Sequence, residues 1–312
     1  MSLAIPSRLS GAFYTRLLGQ GTRRGVTSMI LGMASFVTND MLTKLASATT
    51  PTGQLVSIRN ITATLLIIVL IALTGQARRL RRVADRVILT RSSFDVVATI
   101  LYLIALFHMQ IGNITAINMA TPLVMTAAAA LFLRAPVGWR RWSAVAAGFV
   151  GVMLIVQPSA QGFNNYSLLA LAAVIFIVAR DLTTRRLDPE IPSLVVTLGN
   201  SVFVLCSALA LSAMEGWVAI GLREYTLIVA SGLFLICGYL LIVDAFRHGD
   251  LATVGPFRYT ALIWALVFGL IVWGDIPNNL AIVGIVIVVG SGLYVLHRER
   301  LKARSPAPEE PA

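Results

Sequence analysis

Asp40, Arg59, His108, Asp181, His248 and Arg258 lie inside, or at the rim of, long apolar stretches of this sequence. In hydrocarbon a mid-helix Arg, Lys or Asp costs about 2.5–3.5 kcal/mol on insertion scales, so such a group is a functional candidate by default. The chemistry open to these types is the making and breaking of ion pairs and hydrogen bonds, which suits gates. Hydroxyl, amide and aromatic groups recur in the same stretches: Ser35, Asn60, Tyr102, Asn118, Thr121, Tyr239, Tyr259 and Trp264. These offer hydrogen bonds and flat walls to a small molecule, and they are the expected substrate-binding set. Covalent chemistry has little to work with, because an enzymatic site gathers carboxylates, a nucleophile with its base, or a metal at one depth. The acids here are few and divided between two ends. The three histidines show no H-E-x-x-H spacing and no cysteine partners, so no metal is expected. The absence of G-x-x-x-x-G-K-[ST] argues against ATP hydrolysis by this chain and implies no ATPase subunit. No catalytic residue and no cofactor are expected.

Composition says where these groups reside. Of 312 residues, 57% are apolar or aromatic and 12% are charged, against about 25% charged in a soluble domain. A soluble surface cannot be built from that supply. Ten runs approach the roughly 20 residues that cross a bilayer's hydrocarbon: Val26–Ala46, Gln54–Thr74, Arg91–Met109, Gly112–Leu133, Arg140–Gln157, Ser167–Arg186, Ser193–Ala213, Glu224–Phe246, Leu251–Trp273 and Asn278–His297. Connections are short and marked by turn formers at Pro51, Pro158, Pro189, Pro192 and Pro277, so neighbouring spans run antiparallel. The expected fold is an all-α integral membrane protein of ten transmembrane helices. Cys206 and Cys237 fall in apolar runs and read as core thiols rather than a bridge.

The net charge of +11 resembles a nucleic-acid signal until the charges are placed. Distributed over alternate sides, all of the 25 Lys and Arg residues except Lys44, Arg59 and Arg223 fall on the side of the two termini. Basic residues collect in loops that remain cytoplasmic, so both tails are expected in the cytoplasm of a multi-pass protein in a bacterial inner membrane. The partners expected are the lipid bilayer and a small-molecule substrate, with no nucleic acid. Residues 1–25 hold four arginines but no apolar core ending in a cleavage site, so the first span is expected to remain in the membrane.

Internal repetition then fixes the geometry. Asp40-Met-Leu-Thr-Lys44 ends the first span and Asp181-Leu-Thr-Thr-Arg185 the sixth, 141 residues on. Pro51 and Pro192 are also 141 apart, and His108 and His248 are 140 apart, each closing a span. The halves are taken as 26–160 and 167–297, flanked by tails 1–25 and 298–312. Five crossings per half is an odd number, so the second half enters from the opposite face. Inverted repeats of this kind place a substrate site near the midplane where the halves meet.

Asp40 and Arg59 lie about 9 Å and 8 Å from the same end at 1.5 Å per residue, with His108 and Asn118 nearby. Asp181, Arg185, Asn200, His248 and Arg258 are their counterparts at the cytoplasmic end. The expectation is an outer gate of Asp40, Arg59 and His108 and an inner gate of Asp181, Arg258 and His248. Pro122 and Pro256 remove backbone donors within spans four and nine and are the expected hinges. Ala144, Ala147, Gly148 and Gly151 suit close helix packing.

The stretch Asn118-Met-Ala-Thr-Pro122, with Leu131-Phe-Leu-Arg134, Gly138-Trp-Arg-Arg-Trp142 and Gly148-Phe-Val-Gly151, resembles the fourth and fifth spans of the EamA branch of the drug/metabolite transporter superfamily. So does Ala252-Thr-Val-Gly255-Pro256 through Trp264, followed by Gly274-Asp275-Ile-Pro277 and Ser291-Gly-Leu-Tyr294, and Arg59 stands where that family commonly has an arginine. The family's Gly-Glu after the fourth span is replaced here by Arg134-Ala135-Pro136, while Gly274-Asp275 keeps part of it in the second half. The resemblance implies a secondary transporter working by alternating access. It implies export of small metabolites, amino acids with aromatic ones among them, or in other members uptake of S-adenosylmethionine or a similar nutrient. An intramembrane enzyme and a passive channel are the readings of another class. The channel needs a continuous polar pore, and the spans are too apolar for one. Reporter fusions at each terminus are expected to give a cytoplasmic location for both; tails on different sides of the membrane would exclude the even total of crossings.

Overall fold

The computed structural model describes residues 21–75, 83, 85–132, 138–157, 165–184, 186–188, 191–249 and 251–304. Arg134-Ala135-Pro136, Pro158, Arg185, Pro189 and most of both tails lie outside the described residues. The described chain is helical, as hydrocarbon demands of a backbone that must satisfy its own hydrogen bonds. In order, the helices are α1 (Gly21–Ala46), α2 (Thr52–Leu73), α3 (Arg86–His108), α4 (Ile111–Asn118), α5 (Thr121–Phe132), α6 (Trp139–Val156), α7 (Asn165–Thr184), α8 (Ser193–Glu215), α9 (Leu222–His248) and α10 (Leu251–Val254). A 3₁₀ turn, Gly255–Tyr259, then leads into α11 (Thr260–Trp273), and α12 (Asn279–Arg304) is the last described element. Eight of the crossings are long and apolar enough to span a membrane by themselves. The two others are α6, which is shorter, and α1, which carries Arg23, Arg24, Asn39, Asp40 and Lys44 and packs against α9 and α11.

Two crossings are broken rather than continuous. Span four stops at Asn118 and restarts at Thr121, so the interruption just precedes the expected hinge at Pro122. Pro122 has no N–H for the carbonyl four residues back, which is that of Asn118. The Thr121 hydroxyl takes that carbonyl instead, at 2.5 Å. Pro122 then sits in the first turn of α5, where a missing N–H costs nothing. Span nine breaks in the same place of the second half: α10 gives way to the 3₁₀ turn that holds Pro256.

The lateral pairing exposes the architecture. The principal contacts join α1 with α9, α3 with α7, α2 with α8 and α6 with α12. Exchanging the halves turns the α1–α9 pair into α7–α3 and returns each of the other two pairs to itself. Every one of these pairs is antiparallel. Arg24 near the start of α1 meets Asp244 near the end of α9, and His108 at the end of α3 meets Tyr166 at the start of α7. Gly53 at the start of α2 meets Glu215 at the end of α8. Gln157 after α6 meets Asn278 before α12. Equivalent helices that cross antiparallel are related by a two-fold axis in the membrane plane, so the chain is two inverted five-crossing repeats making ten spans.

Backbones also touch at the α6–α12 seam. A Cβ built on Gly284 would stand 2.5 Å from the Gly151 carbonyl oxygen, and one on Gly151 would stand 2.8 Å from that of Gly284. Small residues there let two backbones touch, which is the way helices associate without a hydrophobic drive between them. Gly284→Ala is expected to lower thermal stability in detergent by overpacking, about 1–3 kcal/mol. Gly290→Ala, with nothing within 4 Å of the added methyl, should leave the melting curve in place.

Candidate substrate site

A small cavity of about 70 Å³ lies among α2, α3, α8 and α9, narrower here than the roughly 300–1,000 Å³ usual for small-molecule sites. Its lining sits near the middle of these helices, at the depth expected from the repeat. Most of the lining falls into equivalent positions of the two halves. Arg59 pairs with Asn200, Asn60 with Ser201 and Ala63 with Val204 at a spacing of 141, and Asp95 pairs with Leu235 and Thr99 with Tyr239 at 140. The cavity therefore straddles the pseudo-two-fold axis. Its walls are nevertheless unlike. Both charges, Arg59 and Asp95, come from the first half, while Val204, Leu235, Ile236 and Tyr239 make the second-half wall mainly apolar and aromatic.

Arg59 is the unusual member. It is 5% exposed, its Nε has no partner, and no carboxylate of the described residues reaches within 4 Å of it. Asp40, Tyr239 and Asp95 are near enough to act on it electrostatically. Asp95, by contrast, is fully engaged: Arg180 Nη1 donates to one carboxylate oxygen at 2.6 Å and Asn200 Nδ2 to the other at 2.6 Å. Arg180 also holds Asp181 at 2.8 Å, and Arg91 Nε donates to the Thr184 hydroxyl at 2.9 Å. This network ties α3 to α7 and α8 across the boundary between the halves. Above the cavity, Gln54 exchanges two hydrogen bonds with the backbone of Val218, at 2.9 and 3.0 Å. Glu215 accepts from the Gly53 N–H at 2.7 Å, so the ends of α2 and α8 farther from the chain termini are clasped.

The residues singled out in the sequence are distributed as follows. Arg59, Asn60 and Tyr239 line the cavity; Tyr239 also stands edge-on to Phe36, with ring centroids 5.1 Å apart. Tyr102 donates to Asp40 at 2.7 Å. Ser35 bonds the Leu31 carbonyl at the α1–α9 seam. Asn118 and Thr121 bond each other at the break in span four. Tyr259 and Trp264 are in the broken ninth span, and the hydroxyl of one and the Nε1 of the other are buried without a partner.

The two three-residue gates do not assemble here. Asp40 and Arg59 neighbour each other without an ion pair, and His108 is exposed, stacked on Tyr166 at 4.0 Å. At the other end Asp181 turns to Arg180, and His248 to Asp244 at 3.3 Å, with Arg24 completing that cluster at 2.6 Å. Arg258 is exposed and has no ion pair among the described residues. Sequence reading passed over Asp95 and counted Arg180 among the loop cations. The available signal was an acid five residues inside an apolar run, facing an Arg-Asp pair in the other half.

Comparison with known proteins places this arrangement. The model of the EamA-like transporter family matches the chain twice, over residues 23–157 and 164–296. The pseudopaline exporter CntI of Pseudomonas aeruginosa is 25% identical over 86% of this chain and 94% of its own length. A riboflavin transporter of Vibrio cholerae is 29% identical over 69% and 73%, and an S-adenosylmethionine uptake transporter of Rickettsia bellii is 25% identical over 60% and 64%. A crystal structure of another protein superposes at a TM-score of 0.59 with 17% identity, covering 89% of this chain and 99% of that one, which shows a shared fold.

Removing one partner of a buried ion pair costs about 3–5 kcal/mol because a charge is stranded. Asp95→Leu is expected to destabilise by less than that, since Arg180 keeps Asp181 and is 22% exposed. The double variant Asp95→Leu/Arg180→Met should regain most of the loss in the same thermal unfolding measurement.

Proposed function

Because the chain belongs to the EamA-like transporter family of the drug/metabolite transporter superfamily, a family of membrane transporters rather than enzymes, we propose that it carries a zwitterionic metabolite of the amino-acid type outward across a bacterial inner membrane. The observation that supports this is Arg59: a guanidinium 5% exposed, with no counter-ion in contact, at the wall of a mid-depth cavity. A buried cation without a partner is costly, and a planar carboxylate matches its fork of donors. The substrate carboxylate sits on Arg59. Asp95 is the carboxylate on the same wall for the ammonium group to approach, its two oxygens already shared with Arg180 and Asn200. The apolar and aromatic wall of the second half takes a bulky side chain, with Tyr239 as its flat face.

The architecture supports alternating access. The cavity lies on the axis that relates the halves, so exchanging their conformations carries the site from one face to the other. Both termini are cytoplasmic in this reading. Outward transport is favoured by likeness to an exporter over nearly that protein's full length. Uptake of a nutrient such as S-adenosylmethionine, which carries the same amino-acid head, is the second reading, and a relative of that kind supports it.

Uptake and efflux of labelled phenylalanine, S-adenosylmethionine and riboflavin in proteoliposomes test the proposal. Arg59→Gln is expected to lower kcat/KM for the carboxylated substrates roughly ten- to hundredfold, the weight of a charge-assisted hydrogen bond, and Arg59→Lys to restore part of it. Transport of riboflavin alone, insensitive to Arg59, would sink the carboxylate reading.

A further inference from the structure

The aspartates within the described spans differ in one respect. Asp95 and Asp181 hold Arg180 at 2.6 and 2.8 Å, and Asp244 holds Arg24 at 2.6 Å. Asp40 has no cation within 4 Å among the described residues. Its carboxylate oxygens accept from neutral donors instead, one from Tyr102 at 2.7 Å and the other from Asn39 at 2.9 Å. The cation that acts on it across the gap is Arg59, itself without an ion pair. One anion and one cation, both inside the membrane, thus compensate each other at a distance.

The other ionisable groups nearby are occupied or remote. Lys44, one turn along α1, is taken by the Met109 carbonyl and lies 5.1 Å from the centre of the Trp273 ring. On α9, Asp244 belongs to Arg24 and Ser28 at the opposite end, and Tyr239 faces Phe36 and the cavity. On α3, Tyr102 is already the donor to Asp40, and Asp95 is engaged by Arg180 and Asn200. Helices α10 and α11 carry no charged residue, and Arg258 of the 3₁₀ turn acts on Asp181 and Arg180.

A substrate carboxylate on Arg59 would enter this pair as a second anion competing for a single cation. We propose that Asp40 is a proton-coupling site: when a carboxylate occupies Arg59, Asp40 loses its counter-charge and takes up a proton from the aqueous side, and when the substrate leaves, the proton leaves with it. The carboxylate does not need to touch Asp40, since the two meet through Arg59. Asn39, 3% exposed, donates its Nδ2–H to Asp40, a bond that the carbonyl oxygen of the protonated acid still accepts. Substrate and proton therefore cross together, so an outside-acid pH difference drives the zwitterion inward and opposes its export, which ties this coupling to the uptake reading. This inference rests on the assignment of the carboxylate to Arg59.

The experiment uses the purified full chain in weakly buffered detergent, with phenylalanine, S-adenosylmethionine and 3-phenylpropionate as probes and a pH-sensitive dye as the readout. Binding of a carboxylate is expected to draw a proton from solution. Linkage then requires the wild-type affinity to fall up to about tenfold per pH unit as pH rises through the range in which free Asp40 is ionised and bound Asp40 is not. Asp40→Asn should bind all pH values alike, at least as tightly as the wild type at its most acidic, without proton uptake. Tyr102→Phe removes a donor to the carboxylate form and should move the pH-dependent range upward, which checks the assignment independently of how well Asp40→Asn folds. Binding abolished by Arg59→Gln but accompanied by no proton uptake in the wild type would overturn the coupling and leave the Arg59 assignment standing. Proton uptake that persists in Asp40→Asn would also overturn it. Failure of all three probes to bind would overturn the Arg59 assignment and the coupling with it.

Discussion

A polar group inside a bilayer must find its partner within the protein, and here the partners that lie on a different helix come mostly from the other half of the chain. Arg24 and Ser28 reach Asp244, Gly53 reaches Glu215, Gln54 reaches Val218, Thr64 reaches Ser201, Arg91 reaches Thr184, Asp95 reaches Arg180, and Gln157 reaches Asn278. Each of these contacts crosses the boundary between the repeats. Neither repeat alone satisfies the groups it carries, so the two are interlocked rather than merely adjacent. Where such a contact lies buried at mid-span, as between Thr64 and Ser201, water cannot substitute, and an orphaned donor or acceptor costs several kcal/mol. This constraint makes the antiparallel pairing of equivalent helices a requirement of the sequence.

The cavity inherits its position from the same pairing and its character from the failure of the two halves to remain identical. A symmetric pair of walls would present the same groups to both ends of a ligand. Substitution at equivalent positions has left Arg59 opposite Asn200, Asp95 opposite Leu235 and Thr99 opposite Tyr239. Charge is concentrated on one wall and bulk on the other, the division a molecule with a polar head and an apolar side chain would match. The backbone retains its symmetry because packing fixes it, while the side chains facing the cavity were free to diverge.

Much of the fold was legible from residue order. Ten apolar runs, the 141-residue echoes at Asp40/Asp181 and Pro51/Pro192, and the odd number of runs per half led to an inverted repeat before any contact was known. The two broken crossings were only half visible. Pro122 and Pro256 marked the places as donor-less hinges, but that the helix ends outright at Asn118, the carbonyl a proline there cannot pair, is a feature of the structure. The site was less legible. Arg59, Asn60 and Tyr239 were found because polar residues are conspicuous in apolar runs. Asp95 was missed and Arg180 misfiled, because a cation near a span's end looks the same in sequence whether it meets headgroups or an aspartate on another helix.

What residue order determined was the solvent and the topology. Hydropathy is a local property summed along the chain, and the parity of the crossings follows from counting. Which charges pair was settled only in three dimensions. Asp40 and Arg59 are 19 positions apart and suitably placed to meet, yet they stop short of contact, while Asp95 and Arg180, 85 positions apart, close to 2.6 Å. An ion pair depends on the rotation and approach of two helices, and these are set by packing at seams such as Gly151 against Gly284, far along the chain from either charge.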